Sequence, residues 1–174
     1  MRKELEPNMK IAEKLYPQIK HLMEKYTEYC DENGDEEEIE YKKLENKLHE
    51  MTGKDMSQYT FWEYWEGEGL EVEAFRIALP EPNIVMDITK DELKEIIEIL
   101  KAPKFDEHGK IIQKNGDNEF SQMFRLYLDK YYYKLLKMNF KSYKPEYFNS
   151  QKGKDGKYFE YSVEEVVEKI WCKK

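Results

Sequence analysis

Apolar residues recur at helical spacing near the start of this chain, and this periodicity limits the folds that the segment can adopt. Over residues 8–30 the recurring positions are Ile11, Leu15, Ile19, Leu22, Tyr26 and Tyr29. Such spacing places side chains on one face of an α-helix. Pro17 falls inside the pattern, and we expect a kink or a break there. The segment is therefore predicted to be an amphipathic helix, or two helices that meet at Pro17.

A second amphipathic helix is predicted over residues 36–52. Its apolar face consists of Tyr41, Leu44, Leu48 and Met51. Gly53 follows, at a position where a glycine commonly ends a helix. Asn33 and Gly34 supply the turn between the two helices, because this dipeptide adopts positive φ easily. We therefore expect an antiparallel helical hairpin over about 8–53.

The longest predicted helix spans residues 118–140. Apolar and aromatic side chains occupy much of its circumference, which is typical of a buried, central helix. Two further helices are indicated by capping boxes, one at Thr89 and Glu92 and the other at Ser162 and Glu165. In a capping box the hydroxyl and the carboxylate satisfy N–H groups that the first helical turn leaves free.

β-Structure is expected within the α+β remainder, residues 54–174. The segment Leu70–Leu79 begins with alternating apolar and acidic residues, as a strand with one solvated face does. Turn residues predict a hairpin over 104–117, and Asp155 with Gly156 predicts another turn ahead of a strand over 157–161. We expect these strands to form a small antiparallel sheet packed on the long central helix.

The fold class is therefore α+β, and mostly helical. A chain of 174 residues, of which 40% are hydrophobic, can furnish the core of one domain and is short for two. We predict a single domain over residues 1–174. The longest apolar runs have three or four residues, far from the roughly 20 that a membrane span needs. We expect no signal peptide and a cytoplasmic protein without membrane association.

Metal, cofactor and nucleophile motifs are absent from the sequence. Cys30 and Cys172 are far apart, and no His or Cys pair has zinc-ligand spacing. Aligning Gly34 with the glycine of a calcium-binding loop puts Tyr29 and Glu36 at positions that require an aspartate and an apolar residue. We therefore expect no metal and no cofactor, and lean towards a protein that is not an enzyme.

Charge is distributed unevenly along the chain, whose formal net charge is -8. Residues 1–100 carry 13 basic and 26 acidic side chains, whereas residues 101–174 carry 16 and 11. Eight carboxylates and no basic residue lie between positions 28 and 40. Eight lysines and two acids, interleaved with aromatic residues, lie between positions 130 and 157. Such an asymmetry is evidence about partners rather than about fold, although both tracts are also consistent with plain solvated faces.

The acidic tract favours a non-enzymatic binding protein that neutralises or regulates a basic macromolecular partner. Immunity proteins, antitoxins and phage-type inhibitors have this size and charge, and carboxylate surfaces steer such proteins onto basic targets. Tyrosine and tryptophan serve as anchors at interfaces of this kind. The predicted partner-binding residues are Asp31, Glu32, Asp35, Glu36, Glu37, Glu38, Trp62 and Trp65.

Two alternatives belong to other classes. In a small enzyme, a hydrophobic wall of Trp62 and Trp65 would raise the pKa of Glu63 or Glu66, as in known acid catalysts. In a nucleic-acid-binding regulator, lysines would meet phosphates and tyrosines would stack on bases. The residues predicted for the second alternative are Lys130, Lys134, Lys137, Lys141 and Lys144.

Overall fold

The computed structural model describes residues 1–61, 67–101, 118–154 and 156–171. These ranges contain seven α-helices and one two-stranded antiparallel sheet, which confirms the prediction of a mostly helical α+β fold. The elements are α1 (Met9–Asn33), α2 (Ile39–Thr52), α3 (Leu70–Ala78), α4 (Lys90–Lys101), α5 (Glu119–Phe124), α6 (Asp129–Asn139), β1 (Gln151–Lys152), β2 (Tyr158–Phe159) and α7 (Val163–Trp171). Short 3₁₀ helices lie at Met56–Gln58, Arg125–Leu128 and Pro145–Phe148.

The contacts within the chain divide it into two compact units. The N-terminal unit comprises Pro7–Glu81 and Asn118–Tyr127, and the C-terminal unit comprises Met1–Glu6, Pro82–Asp117 and Leu128–Lys174. The N-terminal unit carries 10 basic and 20 acidic side chains, a net charge of -10, and the C-terminal unit carries 19 and 17, a net charge of +2. The single-domain assignment stays a prediction.

The two helices predicted at the start of the chain are confirmed as α1 and α2. The Asn8 side chain caps α1 by accepting from the Ile11 N–H, and Gly53 ends α2 in the left-handed conformation that the sequence indicates. Pro17 lies inside α1 and does not divide it. Its missing N–H removes a single intrahelical bond, and the apolar face of α1 is buried on both sides of it, at Ala12 and at Ile19.

The strand predicted over residues 70–79 is wrong, because this segment is helix α3. Glu71 and Glu73 lie in its first turn and Arg76 in its last, which suits the helix dipole. Side chains from Val72 to Leu79 are mostly buried, so α3 is surrounded by other elements on most of its circumference. A fully buried helix loses the periodicity that identifies an amphipathic one, and its first residues then resemble an alternating strand.

An aromatic cluster forms the core of the N-terminal unit. Phe75 of α3 and Phe124 of α5 stack with their ring centroids 4.2 Å apart and their planes 5° from parallel. Tyr16 of α1 packs edge-on against Phe124 at 5.1 Å and against Phe120 at 5.4 Å. Because these rings come from three helices, one set of contacts joins segments that are distant in sequence.

The single helix predicted over 118–140 is also wrong. The 3₁₀ helix Arg125–Leu128 separates α5 from α6, and Tyr127 has the non-helical angles φ −97° and ψ 15°. No glycine or proline indicates this break. Phe124 is buried in the N-terminal unit, whereas Leu128 and Leu135 are buried in the C-terminal unit. The apolar face therefore belongs to two cores, although its spacing suggests one.

Helices α4, α6 and α7 supply the core of the C-terminal unit. Its fully buried apolar side chains include Leu93, Ile96, Ile97, Leu135, Leu136, Val166 and Ile170. Both predicted capping boxes are confirmed. The Thr89 N–H donates to Glu92 at 2.9 Å, and the Ser162 N–H donates to Glu165 at 2.7 Å.

Strands β1 and β2 pair antiparallel, with Gln151 opposite Phe159 and Lys152 opposite Tyr158. This confirms the turn predicted at Gly156, which has φ 80°, and shortens the predicted strand of residues 157–161 to two residues. The hairpin predicted over 104–117 lies outside the described residues. Within the ranges that the structure describes, no helix has both the length and the apolar composition that crossing a bilayer requires.

We predict that Phe124→Ala lowers the free energy of unfolding by about 3–5 kcal/mol, because it leaves a cavity in the aromatic cluster. Urea denaturation followed by circular dichroism measures the change. Met123→Ala is the control, because its side chain is 63% exposed on the same helix and its removal changes stability by less than about 0.5 kcal/mol. Equal effects of the two substitutions would contradict this account of the core.

Candidate functional site

The acidic tract forms the turn between α1 and α2, and we call residues 31–38 the acidic turn. Helix α1 ends at Asn33, and the Gly34 N–H then donates to the Cys30 carbonyl at 2.9 Å. Gly34 has φ 69°, a conformation that favours glycine. Glu38 has φ 56° and precedes the first residue of α2. The turn is therefore short and has a defined backbone conformation.

Asp35 holds this turn to the start of α2. Its carboxylate accepts hydrogen bonds from the N–H groups of Tyr41 at 2.8 Å, Ile39 at 2.9 Å and Glu40 at 3.2 Å. The Tyr26 hydroxyl of α1 donates to the same carboxylate at 3.5 Å. These are N–H groups that a helix leaves unpaired at its start, so Asp35 acts as the cap of α2.

The hydrogen bonds also determine the charge of Asp35. Desolvation opposes ionisation of its carboxyl group, but the three N–H donors and the Tyr26 hydroxyl outweigh it and lower its pKa. Burial raises the pKa of the Tyr26 hydroxyl, the side chain of Cys30 and the charge of Asp35 raise it further, and Tyr26 therefore stays a donor. Asp35 was predicted to bind a partner, and the structure gives its carboxylate this capping position.

The other predicted carboxylates of the turn point into solvent. Asp31 and Glu32 are exposed on the last turn of α1, and Glu36, Glu37 and Glu38 are exposed between the helices. Glu38 lies 3.9 Å from the Lys42 ammonium. Asp31, Glu32, Glu36 and Glu37 form no ion pair with any residue that the structure describes. Within the described ranges, these four carboxylates therefore have no compensating cation.

A groove of about 370 Å³ lies between α1 and α2 beside the acidic turn, and we call it the helix groove. It is lined by Leu22, Lys25, Tyr26, Tyr29, Glu40, Lys43, Leu44 and Lys47. Tyr26 links it to the turn through Asp35, and Tyr29 is 40% exposed at its side. Lys43 is paired with Glu40 at 2.6 Å, and Lys47 with Glu50 at 3.4 Å, so much of the positive charge of the rim is compensated.

Sequence reasoning missed this groove. Glu40, Lys43, Leu44 and Lys47 recur at the spacing of one helix face, which was a usable signal. The other wall comes from α1, and only the packing of the two helices places the walls opposite each other.

Two buried cations of the N-terminal unit were also missed. The Lys54 ammonium donates to the Arg76 carbonyl at 2.7 Å and lies 3.9 Å from the Glu81 carboxylate. The Arg76 guanidinium lies 2.6 Å from Glu68. Burial raises the pKa of the neighbouring Tyr59 hydroxyl, and Glu81 adds to this. These contacts join α3 to the segments before and after it, which is a structural role.

Trp62 and Trp65, predicted as anchors, and Glu63 and Glu66, predicted as a catalytic pair, lie outside the described residues. Their roles stay predictions. The adjoining Phe61 is fully buried and contacts the Tyr41 ring, with centroids 5.2 Å apart.

The predicted basic tract lies in the C-terminal unit. Lys130, Lys137, Lys141 and Lys144 are exposed, and Lys134 is half-buried. Tyr131 and Tyr132, which lie beside Lys130, are buried, so they offer no stacking surface. Among the described residues of this unit, the exposed aromatic side chains lie later, on β2, where Tyr158 is 71% and Phe159 45% exposed.

Among the residues that the structure describes, no three His, Cys, Asp or Glu side chains are grouped so that they could hold a metal ion. Comparison with known proteins found no family model, no curated protein and no solved structure that matches this chain.

We predict that Asp35→Ala lowers the melting temperature by a few degrees at pH 7, because three N–H groups of α2 lose their acceptor. The folded-state pKa of Asp35 is lowered, so its contribution is complete above its unfolded-state pKa of about 3.9 and is lost as pH falls through the folded-state value. Thermal unfolding between pH 7 and pH 3 measures this.

The difference between parent and Asp35→Ala should therefore narrow as the medium becomes acidic. Asp31→Ala removes an exposed carboxylate from the same turn and should leave the melting temperature unchanged. A destabilisation by Asp35→Ala that stays constant at the lowest pH would argue against an ionised cap.

Proposed function

We propose that this protein is a non-enzymatic binding protein that docks a basic protein partner in the cytoplasm through its acidic turn. The main observation in its favour is that the backbone of the acidic turn is fixed by hydrogen bonds while four of its exposed carboxylates form no ion pair with any described residue. Asp35 secures the turn, and Asp31, Glu32, Glu36 and Glu37 extend from it without ion pairs among the described residues. A surface fixed in this way loses little conformational freedom when it binds.

The net charge of the N-terminal unit also supports binding of a basic partner. Its value of -10 produces a field that extends beyond the turn and attracts a basic partner over about a Debye length. Electrostatic attraction of this kind raises the association rate more than it raises the affinity. The partner is therefore expected to associate rapidly, and more slowly as salt increases.

The helix groove provides the second part of an interface. Charges that attract a partner over a distance do not by themselves give a tight complex. Well-packed side chains carry most of the affinity at an interface, so an apolar contact is expected beside the acidic turn. Leu22 and Leu44 line the groove and Tyr29 is partly exposed beside it. A basic partner that inserts one apolar side chain there would contact the acidic turn with its neighbouring residues. Trp62 and Trp65 remain proposed as further anchors.

The consequence for the partner is neutralisation or regulation, as with immunity proteins, antitoxins and phage-type inhibitors. A protein of this class acts by covering a surface of its target, and needs no catalytic group of its own. The small size and the charge of this chain are consistent with that mode of action.

The test replaces the charge of the turn without touching its cap. In Glu36→Lys/Glu37→Lys/Glu38→Lys, capture of the partner from a nuclease-treated extract of the source cells should be lost. The dissociation constant should rise on the order of 100-fold, because like charges then face each other. The melting temperature should fall by less than about 4 °C, because these side chains are exposed. Native mass spectrometry of the captured complex gives its stoichiometry.

The matched control is Glu98→Lys/Glu119→Lys/Glu160→Lys, which changes the net charge equally at positions outside the turn and the groove. It should capture the partner as the parent does. Retention of a stoichiometric partner by the turn variant, or its loss from both variants, would refute the proposed surface. Tyr29→Ala tests the groove separately and should accelerate dissociation without changing the salt dependence.

A further inference from the structure

We infer that the C-terminal unit has a second binding surface, which takes single-stranded nucleic acid. The surface consists of the 3₁₀ helix Pro145–Phe148, the β1–β2 hairpin and the side of α7 that carries Lys169, and we call it the hairpin surface. It combines exposed aromatic rings with four lysines that form no ion pair within the described part of the chain. It lies in the unit that does not contain the acidic turn, so the inference does not rest on the proposed function.

The hairpin surface is held together by a small number of side-chain contacts. The Gln151 amide of β1 donates to the carbonyls of Glu146 at 2.6 Å and Asn149 at 3.1 Å, which attaches the hairpin to the 3₁₀ helix. The Ser142 hydroxyl donates to the Ile170 carbonyl, which attaches the segment before the 3₁₀ helix to α7. The surface is therefore one connected structure.

Aromatic rings follow each other across this surface. Tyr161 packs edge-on against Phe159 with centroids 5.3 Å apart, and against Tyr147 at 6.3 Å. The Lys169 ammonium lies 4.3 Å from the centre of the Tyr161 ring and 5.6 Å from that of Tyr147. Phe159 and Tyr161 are two residues apart in extended chain and share a side, whereas Tyr158 points to the other side.

The exposure of these rings is not explained by folding. Tyr158 is 71% exposed and Phe159 is 45% exposed, so most of the first side chain and nearly half of the second gain nothing from burial in this chain. Each of these rings offers a face on which a base can stack, one on either side of the strand, since every base has a π-face.

Exposed lysines occur in the hairpin and in the segment that leads into the 3₁₀ helix. Lys141, Lys144, Lys152 and Lys154 are exposed and form no ion pair within the described part of the chain. Other lysines of the same unit are paired, as in the contact of Lys94 with Glu164 at 3.1 Å. Unpaired ammonium groups beside stacking rings are the two elements that bind a phosphate backbone and its bases.

A single strand fits this arrangement better than a duplex does. Bases in a duplex are already stacked on each other and offer no free face to Tyr158 or Phe159. The four lysines are point charges for phosphates, and they lack the two-pronged geometry that arginine uses to read base edges. The surface is therefore expected to bind single strands with little sequence preference.

The experiment measures binding of the full chain to a fluorescein-labelled oligothymidylate of 15 nucleotides by fluorescence anisotropy, between 50 and 200 mM salt. Tyr158→Ala/Phe159→Ala should weaken binding about tenfold or more, because two stacking rings are lost. Lys152→Gln/Lys154→Gln should weaken it and reduce the slope of log Kd against log salt by about 1.4. Circular dichroism verifies that each variant is folded.

Two control variants have the same kinds of substitution in the N-terminal unit, outside the hairpin surface. Lys10→Gln/Lys14→Gln removes two exposed lysines from α1 and should leave the salt slope unchanged. Tyr29→Ala removes a partly exposed ring and should leave the affinity for the oligonucleotide unchanged.

The inference is overturned if the chain does not bind the oligothymidylate at 50 mM salt, or if the Tyr158→Ala/Phe159→Ala variant binds as tightly as the parent. It is also overturned if a 15-base-pair duplex binds equally well, or if polyglutamate displaces the oligonucleotide at equal charge. In the last case the lysines would attract any polyanion, and the rings would have no part in binding.

Discussion

The stacking of Phe75 on Phe124 is the contact on which the N-terminal unit depends. It joins α3 to α5, and through Tyr16 it also positions α1. Large aromatic side chains bury more area than any others, so a few of them can position helices that are remote in sequence. Helix α1 carries the acidic turn at its end and one wall of the helix groove. The position of the acidic turn and the helix groove therefore depends on the contact of Tyr16 with Phe124 near the other end of α1.

Within the acidic turn, one carboxylate is used differently from its neighbours. Asp35 faces the free N–H groups of α2 and is stabilised as an anion by them. Among the residues that the structure describes, Asp31, Glu32, Glu36 and Glu37 have no such donors and are exposed. This division explains how a run of like charges adopts an ordered turn. The Asp35 carboxylate holds the backbone from inside the turn, while the other carboxylates extend into solvent, where their mutual repulsion is screened. The stability of the turn therefore depends on Asp35, whereas its exposed negative charge comes from the other carboxylates.

Local signals in the sequence predicted much of the fold. The capping boxes at Thr89 and Ser162 and the glycine at the end of α2 depend on residues within about one helical turn, and each is confirmed. The apolar face predicted for α1 is confirmed in part, because Ile19 and Tyr26 are buried whereas Ile11 and Tyr29 are exposed. The wrong predictions concern a helix that is buried on nearly all sides and a segment whose apolar residues are divided between two cores. Helix α3 is buried on most sides, so its periodicity is obscured, and residues 118–140 supply two cores with one continuous apolar pattern.

The sequence by itself determined the helical class, the caps and the uneven distribution of charge, because these depend on neighbouring residues and on composition. Only the tertiary structure decided which charges are available. It buried Lys54 and Arg76 together with Tyr131 and Tyr132, exposed Tyr158 and Phe159, and opened a groove between α1 and α2. Exposure and pairing depend on contacts between segments distant in the chain, and no local pattern of residues specifies those contacts.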